Sequence, residues 1–136
     1  MILIDTSYLV GLVMRSDELH ERAVALSAAL TGPFAVTEYV LLEFVNRLSH
    51  PQHRARAHAF LTSIGGNRAI TVVAAEPDLW RRGLALHSRR EDKEWSLTDC
   101  ISFIAMQDLG AVEALTNDQH FEQAGFRALL RHPPPG

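Results

Sequence analysis

At 136 residues the chain is sized for one domain, and 47% hydrophobic with 21% charged residues suits a packed globular core, which excludes a disordered chain. A formal net charge of -3 excludes a broadly basic nucleic-acid binder, so any RNA contact needs local positive charge. No apolar run reaches the roughly 20 residues that span a bilayer, the start MILIDTSYLVGL has no basic leader and carries Asp5, and the lone Cys100 has no internal disulfide partner. The expectation is a cytoplasmic protein without membrane association.

In chain order, Met1 to Ile4 predicts a strand ending at Asp5. Leu19 to Leu30 predicts an amphipathic helix with Ala23, Val24, Leu26 and Leu30 apolar. Phe34 to Thr37, announced by Gly32-Pro33, predicts a second strand, and Glu38 to Leu48 a helix with Val40, Leu41, Phe44, Val45 and Leu48 on one face. Pro51 to Ile64 and Pro77 to Ser88 each open at a proline, as a first helical turn allows, with a third strand at Ile70 to Ala74 between them. Leu97 to Leu109 is apolar nearly all round and reads as a buried helix. Val112 to Thr116 is a fourth strand, and Phe126 to Leu130, after Gly125, a fifth. This leaves a domain over residues 1–130 and a Pro-rich tail over 131–136.

Strands alternating with helices predict βαβ units, hence an α/β fold with a mostly parallel sheet of four to five strands covered on both faces. In such sheets the working site lies at the carboxyl ends of the strands, where strand order reverses. Asp5 and Asp118 follow the first and fourth strands, Glu43 lies on the polar flank of the helix after the second, and Asp99 lies in the first turn of the buried helix. If the first and fourth strands are neighbours, the four acids converge.

Each acid also has a local explanation. Asp5 and Asp118 suit helix caps or turns, Glu43 suits an i,i+4 pair with Arg47, and Ser96-Leu97-Thr98-Asp99 has the form of a capping box. Capping does not exclude a metal role, because a helix N-terminus favours the ionised carboxylate that a hard cation needs. Four crowded carboxylates repel and raise one another's pKa. A divalent ion supplies the missing positive charge.

The segments Ile4-Asp5-Thr6-Ser7, Thr37-Glu38-Tyr39-Val40-Leu41-Leu42-Glu43, Trp95-Ser96-Leu97-Thr98-Asp99-Cys100 and Leu115-Thr116-Asn117-Asp118-Gln119-His120-Phe121 resemble, in order and over nearly the whole chain, those of PIN domains. The resemblance is strongest to the VapC toxins of VapBC toxin–antitoxin pairs. It implies a three-layer α/β/α sandwich and metal-dependent endoribonuclease activity on single-stranded or loop RNA. By the same resemblance, Asp5, Glu43, Asp99 and Asp118 are the catalytic set, and Asp5, Asp99 and Asp118 hold Mg2+ or Mn2+. Thr6 and Thr98 match polar neighbours of the acids. Asn117 stands where some members have a further acid, so one or two ions remain open. A homodimer and a VapB-type antitoxin partner are also implied.

Candidate cations for RNA phosphates are Arg47, Arg54, Arg56, Arg81, Arg82, Arg89, Arg90 and Lys93. Trp95 and Tyr39 read as packing residues before base-stacking ones. Cys100 reads as inert core, His50 and His53 lack companions for a zinc site, and local structure accounts for His20 and His120. No Gly-rich phosphate loop is present, which argues against an NTPase. A receiver domain would need an acidic pair at the start and a late lysine. Here Asp5 stands alone and Lys93, the sole lysine, falls outside the predicted strands. The remaining alternative is a non-catalytic PIN-like module that binds RNA or a partner.

Overall fold

In the computed structural model, which describes residues 1–131, every strand pairing is parallel. The strands are β1 (Ile2–Ile4), β2 (Phe34–Thr37), β3 (Ile70–Val73), β4 (Glu113–Leu115) and β5 (Arg127–Ala128), in the order β3-β2-β1-β4-β5. The chain builds outward from β1 to β3, then returns to lay β4 against the other edge of β1. The order therefore reverses between β1 and β4, paired Ile2 to Glu113 through Ile4 to Leu115.

Period-two alternation in these short strands divides the core into two layers. Ile4, Val36 and Leu115 face one side. There they pack on α1 (Thr6–Val13), α2 (His20–Ala29), α3 (Glu38–Arg47) and α4 (Pro51–Gly65) through Leu9, Leu26, Phe44 and Ile64. Leu3, Ala35 and Ala114 face the other side, under Phe103 and Met106 of α6 (Leu97–Leu109) and Phe121 of α7 (Gln119–Gln123). Phe103 holds Trp95 and Phe121 edge-on, with ring centroids 5.0 and 4.9 Å away, a favoured aromatic arrangement. Helix α5 (Pro77–Arg89) packs on α6 at Gly83, where a Cβ would clash with Ile101 Cγ1, so the missing side chain is what permits that approach. Helices thus cover both faces of the sheet, the α/β architecture expected.

Two helices exceed the sequence reading. Thr6–Val13 follows β1 after only the short polar break Asp5-Thr6-Ser7 and is helical because Tyr8, Leu9 and Val10 are buried on that face. Gln119–Gln123 is one short turn capped by Asp118. The fifth strand is shorter than expected, Arg127–Ala128. Of the expected tail, Arg131 anchors to Glu122 at 2.9 Å, and residues 132–136 lie outside the described residues. Among the described residues no helix is long and apolar enough to cross a membrane.

Candidate active site

At the carboxyl edge of β1 and β4 lies a cleft of about 280 Å³ lined by Asp5, Glu43, Glu94, Asp99, Asp118 and His120, with Ser7 and Arg47 at its sides. All four acids singled out in the sequence line it. An apolar hollow of about 340 Å³ lies elsewhere, against Leu9, Leu12 and Phe60, but Tyr8 is its only ionisable lining residue. The acids singled out in the sequence gather in the first cleft and not there.

Each acid reaches the cleft by local rules. Asp5 ends β1, its N–H donates to the Leu115 carbonyl at 3.1 Å, and it stands at the N-cap of α1 without a side-chain cap bond. Its Oδ2 instead accepts from the Thr116 hydroxyl at 2.7 Å. Thr116 Oγ1 in turn accepts from the Asp118 N–H at 3.0 Å, so one fully buried hydroxyl ties the ends of β1 and β4 together. Asp99 forms the anticipated capping box. Its N–H donates to Ser96 Oγ at 3.0 Å, and its Oδ2 accepts from the Ser96 N–H at 3.2 Å. Asp118 caps α7 by accepting from the His120 N–H at 2.9 Å. No ion pair joins Glu43 to Arg47 among the described residues, and both side the cleft.

The electrostatics disfavour full ionisation. Burial pushes the Asp5 carboxyl up to about 7. The Thr116 hydroxyl and the Thr6 N–H offset that in part, while the charges of Asp99 and Glu43 reinforce it. Burial also raises Asp99, opposed by its hydrogen bond with His120 and reinforced by Asp118. Beside them, Thr6 Oγ1 is buried with no protein partner. Carboxylates held above their ordinary range next to an unpartnered hydroxyl oxygen form a donor set that a hard divalent cation suits.

Two residues in this cleft, and Thr116 buried behind it, escaped the sequence reading. His120, assigned there to local structure, stands with Nδ1 3.1 Å from Asp99 Oδ2 and 3.3 Å from Asp118 Oδ1. Asp99, Asp118 and His120 each offer one ligand atom within 4.8 Å of the others. An Asp-x-His spacing at a helix start was the available signal. Glu94 sits in the charged run Glu91 to Glu94, where nothing marks it out. Thr116 was quoted only as part of a motif.

Most candidate cations are engaged elsewhere. Arg81 pairs with Asp78, Arg82 with Asp78 and Asp108, and Arg90 with Asp92 while lying over the Trp95 ring. Arg54 donates to the Ser49 carbonyl, and Lys93 lies 4.0 Å from Asp92. Arg47 is the member of that set that lines the cleft. Trp95 is buried and donates to Gln123, and Tyr39 stacks on Trp80, so both serve packing.

The bridging hydroxyl gives a direct test. Thr116→Val keeps the shape but removes the donor to Asp5 and the acceptor for Asp118. If the acids hold a metal, as the resemblance to PIN nucleases implies, RNA cleavage is expected to fall about 10- to 100-fold with the fold retained, the range for residues that orient metal ligands. Cleavage rates beside circular dichroism check this, and unchanged activity would remove Thr116 from the site.

A parallel β3-β2-β1-β4-β5 sheet with acids gathered at its reversal point defines a class, and the sequence matches the PIN domain family over residues 2–127. The chain belongs to the PIN domain family. It is 30% identical over 129 residues to the 23S rRNA-specific endonuclease VapC20 of Mycobacterium tuberculosis, covering 93% of this chain and 95% of that one. The crystal structure of the same toxin, described as cleaving the sarcin–ricin loop, superposes with a TM-score of 0.84 at 26% identity, covering 93% of this chain and 96% of that one. FitAcB from Neisseria gonorrhoeae shares the fold, with a TM-score of 0.72 at 14% identity over 97% of this chain and 99% of that one.

Proposed function

We propose that this chain is an endoribonuclease of the VapC toxin type that hydrolyses RNA phosphodiester bonds with the help of Mg2+ or Mn2+. The observation that carries the reading is the convergence of Asp5, Glu43, Asp99 and Asp118, from four separate elements, on one cleft at the β1–β4 edge. Its support outside this chain is the relative whose substrate is 23S rRNA. An exposed loop of large-subunit rRNA is the substrate class we assign, in keeping with sequence-specific recognition of unstacked RNA.

Asp5, Asp99 and Asp118 are the residues that would hold the cation. When bound, a divalent ion supplies Lewis-acid polarisation of the phosphate and lowers the pKa of water. Thr116 fixes the Asp5 carboxylate in one orientation through its 2.7 Å bond. Glu43, half-buried across the cleft, orients or deprotonates water. Arg47, exposed at the rim, meets an RNA phosphate with its planar fork. The same acids would accept a basic side chain, which supports an antitoxin of VapB type that inserts a cationic segment. A homodimer in the cytoplasm completes the assignment.

The test is cleavage of a 23S rRNA loop oligonucleotide by purified protein, with the new ends mapped. Discrete ends are expected with Mg2+ or Mn2+ and none with EDTA. Cleavage that persists in EDTA would reject the metal-dependent mechanism. Binding of the loop without cleavage under any divalent ion would favour the non-catalytic module.

A further inference from the structure

We propose that His120 is itself a metal ligand, and that with Asp99 and Asp118 it biases the cleft toward a transition-type cation such as Mn2+ over Mg2+. The proposal rests on the nuclease reading of this same cleft and adds a nitrogen donor to its acids.

The geometry points there from three directions. His120 Nδ1 is 3.1 Å from Asp99 Oδ2 and 3.3 Å from Asp118 Oδ1. Neighbouring ligand atoms on one ion, at bond lengths of about 2.0–2.2 Å, stand about 3 Å apart. His120 Nδ1 therefore already stands at adjacent-ligand spacing from both carboxylates, and all three ligand atoms lie within 4.8 Å of one another. The imidazole is also aimed by its backbone: the His120 N–H is fixed to Asp118 Oδ1 at 2.9 Å within the first turn of α7. Both carboxylates are held by their own capping bonds, to Ser96 and to the start of α7. The set is held by these bonds before any ion arrives, with Nδ1 facing both carboxylates.

The chemistry sets the preference. An all-oxygen site suits Mg2+ and Mn2+ alike, whereas a nitrogen donor strengthens binding of first-row ions relative to Mg2+, Mn2+ the least of them and Co2+ and later ions more. His20, by contrast, spends its Nδ1 on the Gly11 carbonyl at 2.8 Å and does not line the cleft.

The experiment uses tag-free full-length protein loaded with Mn2+ alone, read by pulsed electron paramagnetic resonance for coupling to ¹⁴N. Titration calorimetry with Mn2+ and Mg2+ accompanies it. Wild type is expected to show one imidazole nitrogen coupled to bound Mn2+. His120→Asn, which keeps a polar group beside both carboxylates, should lose that coupling and bind Mn2+ about tenfold more weakly, with Mg2+ affinity changed less than about threefold. A thermal melt in EDTA checks that the variant is folded.

Bound Mn2+ without nitrogen coupling in wild type, while RNA is still cleaved, overturns the His120 assignment and leaves the nuclease standing. An equal loss of Mn2+ and Mg2+ affinity in the variant overturns it as well, showing that His120 only positions the acids. If wild type neither binds Mn2+ nor cleaves RNA, both readings fall.

Discussion

Asp5→Asn should abolish RNA cleavage, by about 1,000-fold or more, and should leave a protein that folds at least as well as the parent. A factor of 1,000 is about 4 kcal/mol of transition-state stabilisation, within the several kcal/mol expected of a metal centre that loses an anionic ligand. Asp5 is only 6% exposed, and its Oδ2 accepts from Thr116 at 2.7 Å. An amide oxygen can accept the same bond, so shape and hydrogen bonding survive while the charge is lost. That charge is also what makes the metal-free cleft costly. Near pH 8 without metal, the variant should therefore melt at or above the wild-type temperature. Cleavage within tenfold of wild type would sink the metal-ligand role. An unfolded variant would show instead that Asp5 serves the fold.

The second large effect is on stability. Burial raises the folded-state pKa of Asp5 from 3.8 to about 7, so the folded protein binds a proton that the unfolded chain has released. The sign follows directly. This stabilisation is fully present below about pH 4 and is lost as pH rises through about 7. Asp99, also raised by burial, acts in the same direction. At about 1.4 kcal/mol per unit, the Asp5 contribution is on the order of a few kcal/mol, or on the order of 10 °C in Tm for a chain of this size. In EDTA the wild-type Tm should fall between pH 5 and pH 8. Asp5→Asn should flatten that fall, and Mg2+ or Mn2+ at 100 times its dissociation constant should return about 2.7 kcal/mol at pH 8. Calorimetric melts over this range check all three arms. A wild-type profile that rises with pH in EDTA would contradict the buried-acid picture.

The sequence carried the sheet because β1 to β4 are short apolar runs separated by helices with clear faces. A parallel sheet forces such helices to lie between strands. The four acids were legible for a related reason: Asp5 and Asp118 follow strand ends and Asp99 lies in the first turn of a helix, where topology directs them to one edge, and Glu43 lies on the polar flank of α3. What escaped has a common physical cause. Thr6 to Val13 is helical through tertiary burial of Tyr8, Leu9 and Val10, not through a periodic pattern of its own. Glu94 enters the cleft through the placement of the loop before α6, which no local spacing encodes, and His120 through that of α7, marked only by its Asp-x-His spacing. Which of the candidate cations would border the cleft was not legible for a similar reason. Arg81, Arg82 and Arg90 met carboxylates on their own or neighbouring segments, and pairing of that kind depends on the packed surface.

The hydroxyl of Thr116 reaches Asp5 across 111 positions of sequence. Nothing shorter than the stretch from residue 5 to residue 118 contains all four acids, and they meet only when β4 docks beside β1. A chain still emerging from the ribosome, or one cut within that stretch, cannot gather the four acids into one cleft. Docking of β4 on β1 is thus the event that completes the cleft, and until then the cell that makes the chain holds a polypeptide without it.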